Sequence, residues 1–96
     1  MPRYVIREMV ERVSWLSPVD YEVLGFFESH DIVTSPKVLA ANIDYDRQYV
    51  SKRCQKLLSN GLLEQPEAGL YQLSELGRGF LAGEVDVEVI EDANGE

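Results

Sequence analysis

Between residues 44 and 61 the chain gathers the side chains best suited to hold a charged polymer. Arg47, Lys52, Arg53 and Lys56 set four cations against the single carboxylate of Asp46, so residues 45–56 carry a net charge of 4 − 1 = +3. Tyr45, Gln48, Tyr49, Ser51 and Gln55 stand among them. Cations neutralise phosphates whatever the sequence, whereas amides and guanidinium groups can grip base edges, glutamine on adenine and arginine on guanine. This combination suits a surface that enters a groove of nucleic acid. The competing reading for each charged residue is a solvated surface side chain.

Such a surface needs an element to carry it. Val50, Cys54, Leu57 and Leu58 recur at helical spacing and form one apolar stripe. Asp44 is placed to cap the first turn, and Asn60-Gly61 supplies a stop in which Gly61 takes the left-handed conformation. The spacing therefore predicts a helix over 45–59. Upstream, Ser35-Pro36 marks another helix start, and Val38, Leu39, Ala40 and Ala41 carry a short helix over 36–42. Ile43 becomes an apolar plug between the two. Lys37 falls in the first turn of that short helix, where the helix dipole disfavours a cation. A phosphate bound there would remove the conflict; a flexible, solvated lysine is the other reading. Two helices joined by Asn42-Ile43-Asp44, the second with a basic outer face, form a helix-turn-helix pattern.

The flanking segments extend it. Ser17-Pro18-Val19-Asp20 reads as a cap, a first-position proline and a capping-box partner. Val23, Leu24, Phe26 and Phe27 follow, in a helix to about Ser29 in which Gly25 is expected to permit close helix contact. After Gly61, Leu62–Gln65 and Leu70–Leu73 are strand candidates around the turn Pro66-Glu67-Ala68-Gly69. Ser74 then caps a helix over 75–81 with Leu76, Phe80 and Leu81 inward. Gly77 and Gly79 lack the strand-to-helix context of a nucleotide loop and are expected to ease packing near Tyr71. The fold class is α+β, mainly α: a winged helix-turn-helix, with a three-helix core, a β-hairpin wing and a C-terminal helix.

The expected division is an N-terminal helical or arm extension over 1–16, a winged-helix domain over 17–83 and an acidic tail over 84–96. Ile6, Met9, Val10, Val13 and Leu16 share a helical face, although the Tyr4/Ile6 alternation also allows a short strand. That segment is either extra packing or an arm that pairs with a second subunit. The tail alternates from Val85 to Val89, as an added strand or a loosely docked segment would, and its last five residues are expected to be mobile.

Ninety-six residues suffice for one small domain. The net charge of −8 opposes binding to a polyanion, but its distribution softens the objection. Residues 1–56 hold eight basic and eight acidic residues, whereas residues 57–96 hold Arg78 against nine acids. An acidic chain with three lysines also resembles proteins of salt-loving organisms; an ordinary solubilising surface is the plainer explanation. One cysteine makes no internal disulfide, no apolar run reaches a membrane span and no signal peptide is visible, so a cytoplasmic location is expected. The lone His30 has no histidine partner for a metal site. Cys54 reads as a small buried hydrophobe with no histidine placed to activate it. With no metal cluster, phosphate loop or nucleophile–base pair in the sequence, neither an enzyme nor a cofactor is expected.

Ser35–Asp44, Arg47-Gln48-Tyr49-Val50, Arg53, Leu57–Leu63, Gly69-Leu70-Tyr71, Leu73–Gly77 and Leu81–Asp86 together resemble haloarchaeal winged-helix proteins of the phage phi-H repressor-like type. More broadly they resemble the multiple-antibiotic-resistance and related prokaryotic regulators. The resemblance covers about residues 17–87. It implies a sequence-specific regulator of transcription that binds double-stranded DNA, usually as a homodimer and without catalysis. The wing Glu64–Gly69 departs from the pattern, because it lacks the arginine or lysine that often reaches a minor groove or a phosphate. The DNA-binding set expected on these grounds is Lys37, Tyr45, Arg47, Gln48, Tyr49, Ser51, Lys52, Arg53, Gln55 and Lys56. The alternative is a winged-helix module that binds protein instead, for which the acidic wing suits a basic partner. No effector pocket is evident in the sequence.

Overall fold

The computed structural model of the chain describes residues 13–85 together with Glu88 and Ile90. Its elements run α1 (Pro18–His30), α2 (Pro36–Ile43), α3 (Arg47–Ser59), β1 (Leu63–Glu67), β2 (Leu70–Leu73) and α4 (Glu75–Leu81). This is a mainly helical winged helix, with the hairpin following directly on the third helix.

Each boundary has a local cause, and several differ from expectation. Pro18 opens α1 as foreseen, but the capping box is half made. The Asp20 carboxylate accepts from the Ser17 amide at 2.8 Å, while Ser17 Oγ is buried without a hydrogen-bond partner. Asp44 does not cap α3. It closes α2 in the left-handed region (φ 64°) with its amide donating to the Ala40 carbonyl at 2.8 Å. Asp46 is the N-cap of α3, accepting from the Tyr49 amide at 3.0 Å. The inter-helix turn is therefore Asp44-Tyr45-Asp46, and Tyr45 stands in it rather than on the helix.

Helix α3 ends as its sequence dictates. Gly61 takes φ 85°, its amide donates to the Leu58 carbonyl, and the Leu62 amide donates to the Leu57 carbonyl. These two bonds form a Schellman motif, which satisfies carbonyls that the last turn leaves free. In the hairpin, Leu63 pairs with Leu73, Glu64 with Gln72 and Glu67 with Leu70, with an irregularity between Glu64 and Glu67. Pro66 thus lies within β1 rather than in the turn, at the irregular stretch where its missing N–H breaks no regular pair. The turn is Ala68-Gly69, with Gly69 at φ 82°. Thr34 makes a further two-bond bridge to Tyr71, tying the loop before α2 to the wing.

The core lies between the helices and one face of the hairpin. Val23, Leu24 and Phe27 from α1 meet Leu39 from α2, Val50, Cys54 and Leu57 from α3, and Leu62, Leu63, Phe80 and Leu81. It extends past both expected domain limits, since Val13 and Ile90 are buried within it. Glu88 and Ile90 have helical backbone, so the strand reading of the tail fails at these residues. Of the expected helical or arm extension over 1–16, residues 1–12 lie outside the described residues. Residues 13–16 form a turn, with the Leu16 amide donating to the Val13 carbonyl at 3.2 Å, so the helical reading fails there. Gly25 has open space where a Cβ would stand, so it serves no close helix contact. Gly77 does, against Leu62 and Leu73 rather than Tyr71.

Candidate nucleic-acid interface

At 1.5 Å per residue the 13 residues of α3 span about 20 Å. Its side chains divide into an inner and an outer set. Val50, Cys54 and Leu57 are buried and anchor it. Arg47, Gln48, Tyr49, Lys52 and Gln55 are exposed, and Ser51 is half-buried. Among the described residues, no ion pair engages Lys37, Arg47 or Lys52.

The helix-turn-helix brings two stretches of the expected set together. Ser35, Pro36 and Lys37 at the start of α2 face Arg47, Gln48 and Ser51 on the first turns of α3 across a shallow cleft of about 360 Å³. Lys37 and Arg47 therefore flank one concavity, the arrangement a phosphate between two helix starts would require. Tyr45 and Tyr49, 39% and 42% exposed, present large apolar faces at the same end of α3. Lys52 and Gln55 continue the exposed surface towards the C-terminal half of the helix.

Two cations expected in this set are placed differently. Arg53 points to α1: its Nε donates to Asp20 Oδ1 at 2.9 Å and its Nη2 to Oδ2 at 2.5 Å. Nη2 also donates to the Trp15 carbonyl at 3.2 Å. The Asp20 side chain is fully buried and that of Arg53 is 19% exposed. The hydrogen bond to Asp20 raises the Arg53 pKa above its ordinary value, against the opposing effect of burial. Lys56 is half-buried, with Nζ 5.4 Å from the centroid of the Trp15 ring, a cation–π contact.

The wing adds no cation beside this surface. Glu64, Gln65 and Glu67 are exposed, and Gln72 Nε2 donates to Glu64 Oε1 at 2.8 Å. Cys54 is fully buried, and burial pushes its thiol up to about 12, with the Asp20 charge adding to the rise. It stays a neutral thiol packed in the core. His30 ends α1 exposed and stacked on Phe26 at 4.2 Å between ring centroids. Among the described residues no cluster of His, Cys, Asp or Glu could hold a metal ion, and no helix is long and apolar enough to cross a membrane.

Trp15 and Asp20 are the residues that inspection of α3 alone overlooks. The signal for Asp20 was present: it shares the apolar stripe of Val23, Leu24 and Phe27, where a carboxylate needs a partner.

Comparison with known proteins identifies the family of the fold. Residues 9–93 match the family described as winged helix-turn-helix phage repressor. The chain is 35% identical over 95 residues to the repressor protein of Halobacterium phage phiH, a match that covers 88% of this chain and all of that protein. The crystal structure of the PhiH1 repressor-like protein from Haloarcula marismortui superposes with a TM-score of 0.72 at 29% identity, covering 81% of this chain and 90% of that one. The chain belongs to the winged helix-turn-helix phage repressor family, and with it to the DNA-binding regulators rather than to an enzyme family.

Proposed function

We propose that this regulator binds double-stranded DNA sequence-specifically, with α3 in the major groove, and acts as a repressor. The observation that carries the reading is the basic cleft between α2 and α3, whose Lys37 and Arg47 no ion pair engages among the described residues, on a protein whose net charge is −8. Lys37, Arg47 and Lys52 hold phosphates and set the register of the helix. Gln48, with Ser51 and Gln55 behind it, meets base edges, and Tyr45 and Tyr49 offer apolar contact to thymine methyl groups. The acidic wing leaves most of the DNA contact to α3. Repression is inferred from the 35% identity to the repressor protein of Halobacterium phage phiH.

Gln48→Ala and Lys52→Ala test the assignment, since both residues are exposed and truncation should change stability by less than about 0.5 kcal/mol. Lys52→Ala is expected to weaken all duplexes alike and to reduce the slope of log K against log salt by about 0.9. Gln48→Ala is expected to cost about 1–3 kcal/mol of discrimination at one base pair. Filter binding to a duplex selected from a random pool, across a salt series, reads both. If the two variants bind like the parent, α3 is not the reading helix.

One module presents a single reading helix, so we also propose a homodimer on half-sites about one helical turn apart. Light scattering in concentrated potassium chloride should return twice the chain mass; a monomer at high concentration would reject the dimer.

A further inference from the structure

Helix α3 displays its contact residues on one side and is gripped on the other, and the grip contains a charge turned inward. The Asp20 carboxylate receives three donors: Arg53 Nε, Arg53 Nη2 and the Ser17 amide. Arg53 Nη2 gives its second hydrogen to the Trp15 carbonyl. Three of the five guanidinium hydrogens are thus engaged within the protein. The edge between Nη1 and Nη2, which would be needed beside a guanine, is half used. Trp15 in turn donates from its indole nitrogen to the Ile90 carbonyl at 3.1 Å and lies under the Lys56 ammonium.

We propose that Arg53 and Asp20 are positioning residues that set the angle of the reading helix about its own axis, and that Trp15 joins this pair to the C-terminal segment at Ile90. The proposal rests on the reading of α3 as the DNA-contacting element. Its physical basis is leverage. With side chains about 6 Å from the helix axis, a rotation of about 10° moves a contacting atom by roughly 1 Å. That exceeds the tolerance of a hydrogen bond confined to about 2.7–3.2 Å. A bidentate fork resists such a rotation better than apolar packing does, because its two bonds fix an orientation as well as a distance. A contact that merely attracts phosphate would need no such fork.

Three variants in the full chain separate this role from a direct contact: Asp20→Asn, Arg53→Lys, and Asp20→Asn combined with Arg53→Gln. The paired variant leaves no buried charge and keeps an amide-to-amide hydrogen bond, so it carries the test should Asp20→Asn fail to fold. Binding is measured to a duplex selected by the parent from a random pool and to a scrambled duplex of equal length, over a salt series. The positioning role predicts that each variant loses about tenfold or more on the selected duplex and less than about threefold on the scrambled one, with the salt slope kept. If Arg53 holds a phosphate instead, Asp20→Asn frees it and both duplexes bind more tightly, Arg53→Lys stays near the parent, and the paired variant lowers the salt slope by about 0.9. Any of those results overturns the proposal.

Amide hydrogen exchange without DNA gives a second readout. In the paired variant, exchange along α3 should quicken about tenfold relative to the hairpin amides, as local release of one element would produce. Uniform change across the chain rejects the positioning role. If the parent prefers no duplex at all, the DNA reading falls, and the exchange pattern alone then decides whether Arg53 and Asp20 hold the helix.

Discussion

Arg53→Ala is expected to destabilise the fold by about 3–5 kcal/mol, a large share of the total for a domain of this size. The truncation leaves the Asp20 carboxylate fully buried with only the Ser17 amide for company. An ionised carboxylate without a counter-charge in that position loses its hydration and gains little in return. Replacing both partners by apolar residues, Asp20→Leu with Arg53→Met, should recover most of the loss, because no charge remains to be desolvated. The recovery should stop about 1 kcal/mol short, since Asp20 also serves the free amide at the start of α1. Urea unfolding in concentrated potassium chloride, followed by circular dichroism, measures all three proteins. An Arg53→Ala variant within 1 kcal/mol of the parent, a threshold well below the expected range, would mean that solvent reaches Asp20 and that the pair holds little.

The same pair shows where the sequence was readable and where it was not. Helix starts at Ser17-Pro18, Ser35-Pro36 and Ser74 were legible because proline and hydroxyl caps act through a few neighbouring atoms. Gly61 was legible for the same reason, since a left-handed residue after an apolar helix has few substitutes. The order of helices and hairpin followed from those punctuation marks. The errors lay where two residues could do one job. Asp44 and Asp46 both precede α3, and only the three-dimensional path decides which ends one helix and which begins the next. Pro66 likewise could sit in a turn or at an irregular strand position, and the pairing of Glu67 with Leu70 settled it.

The candidate site was legible as a set of types but not as an arrangement. Helical spacing placed Gln48 and Lys52 outward and Val50 and Cys54 inward, as the structure has them. Arg53 lies next to Cys54 on the helix, at the border of the apolar stripe, and its direction depended on what α1 offered it. Asp20 and Trp15 are 33 and 38 residues away in the chain. Helical periodicity reports which face a residue occupies, but not which partner waits there. The inward face of Ile90 was hidden for a related reason: it stands in a tail of acids, and its burial follows from the Trp15 indole and the core beside it.

Two glycines in helices should respond to alanine with opposite signs. At Gly77 an added Cβ would stand 2.3 Å from the Leu62 carbonyl oxygen and 2.7 Å from Leu73 Cδ1. The oxygen belongs to the backbone just after α3, and it accepts the Ser74 amide at 3.2 Å, so it cannot swing aside. Ser74 adds to the constraint, since its Oγ donates to the Gly61 carbonyl and accepts the Gly77 amide at 2.9 Å. Helix α4 must move away from α3 and the wing to admit the methyl group. We expect Gly77→Ala to cost about 2–3 kcal/mol despite the roughly 1 kcal/mol that alanine returns in a helix interior. At Gly25 nothing lies within 4 Å of the added Cβ, so only the propensity gain remains. Gly25→Ala should therefore stabilise the protein by about 0.4–1 kcal/mol. Urea midpoints for the two variants, measured beside the parent, check both signs. A neutral Gly77→Ala would show that α4 packs more loosely on Leu62 than the structure has it, and a destabilising Gly25→Ala would show that the open space beside α1 is occupied.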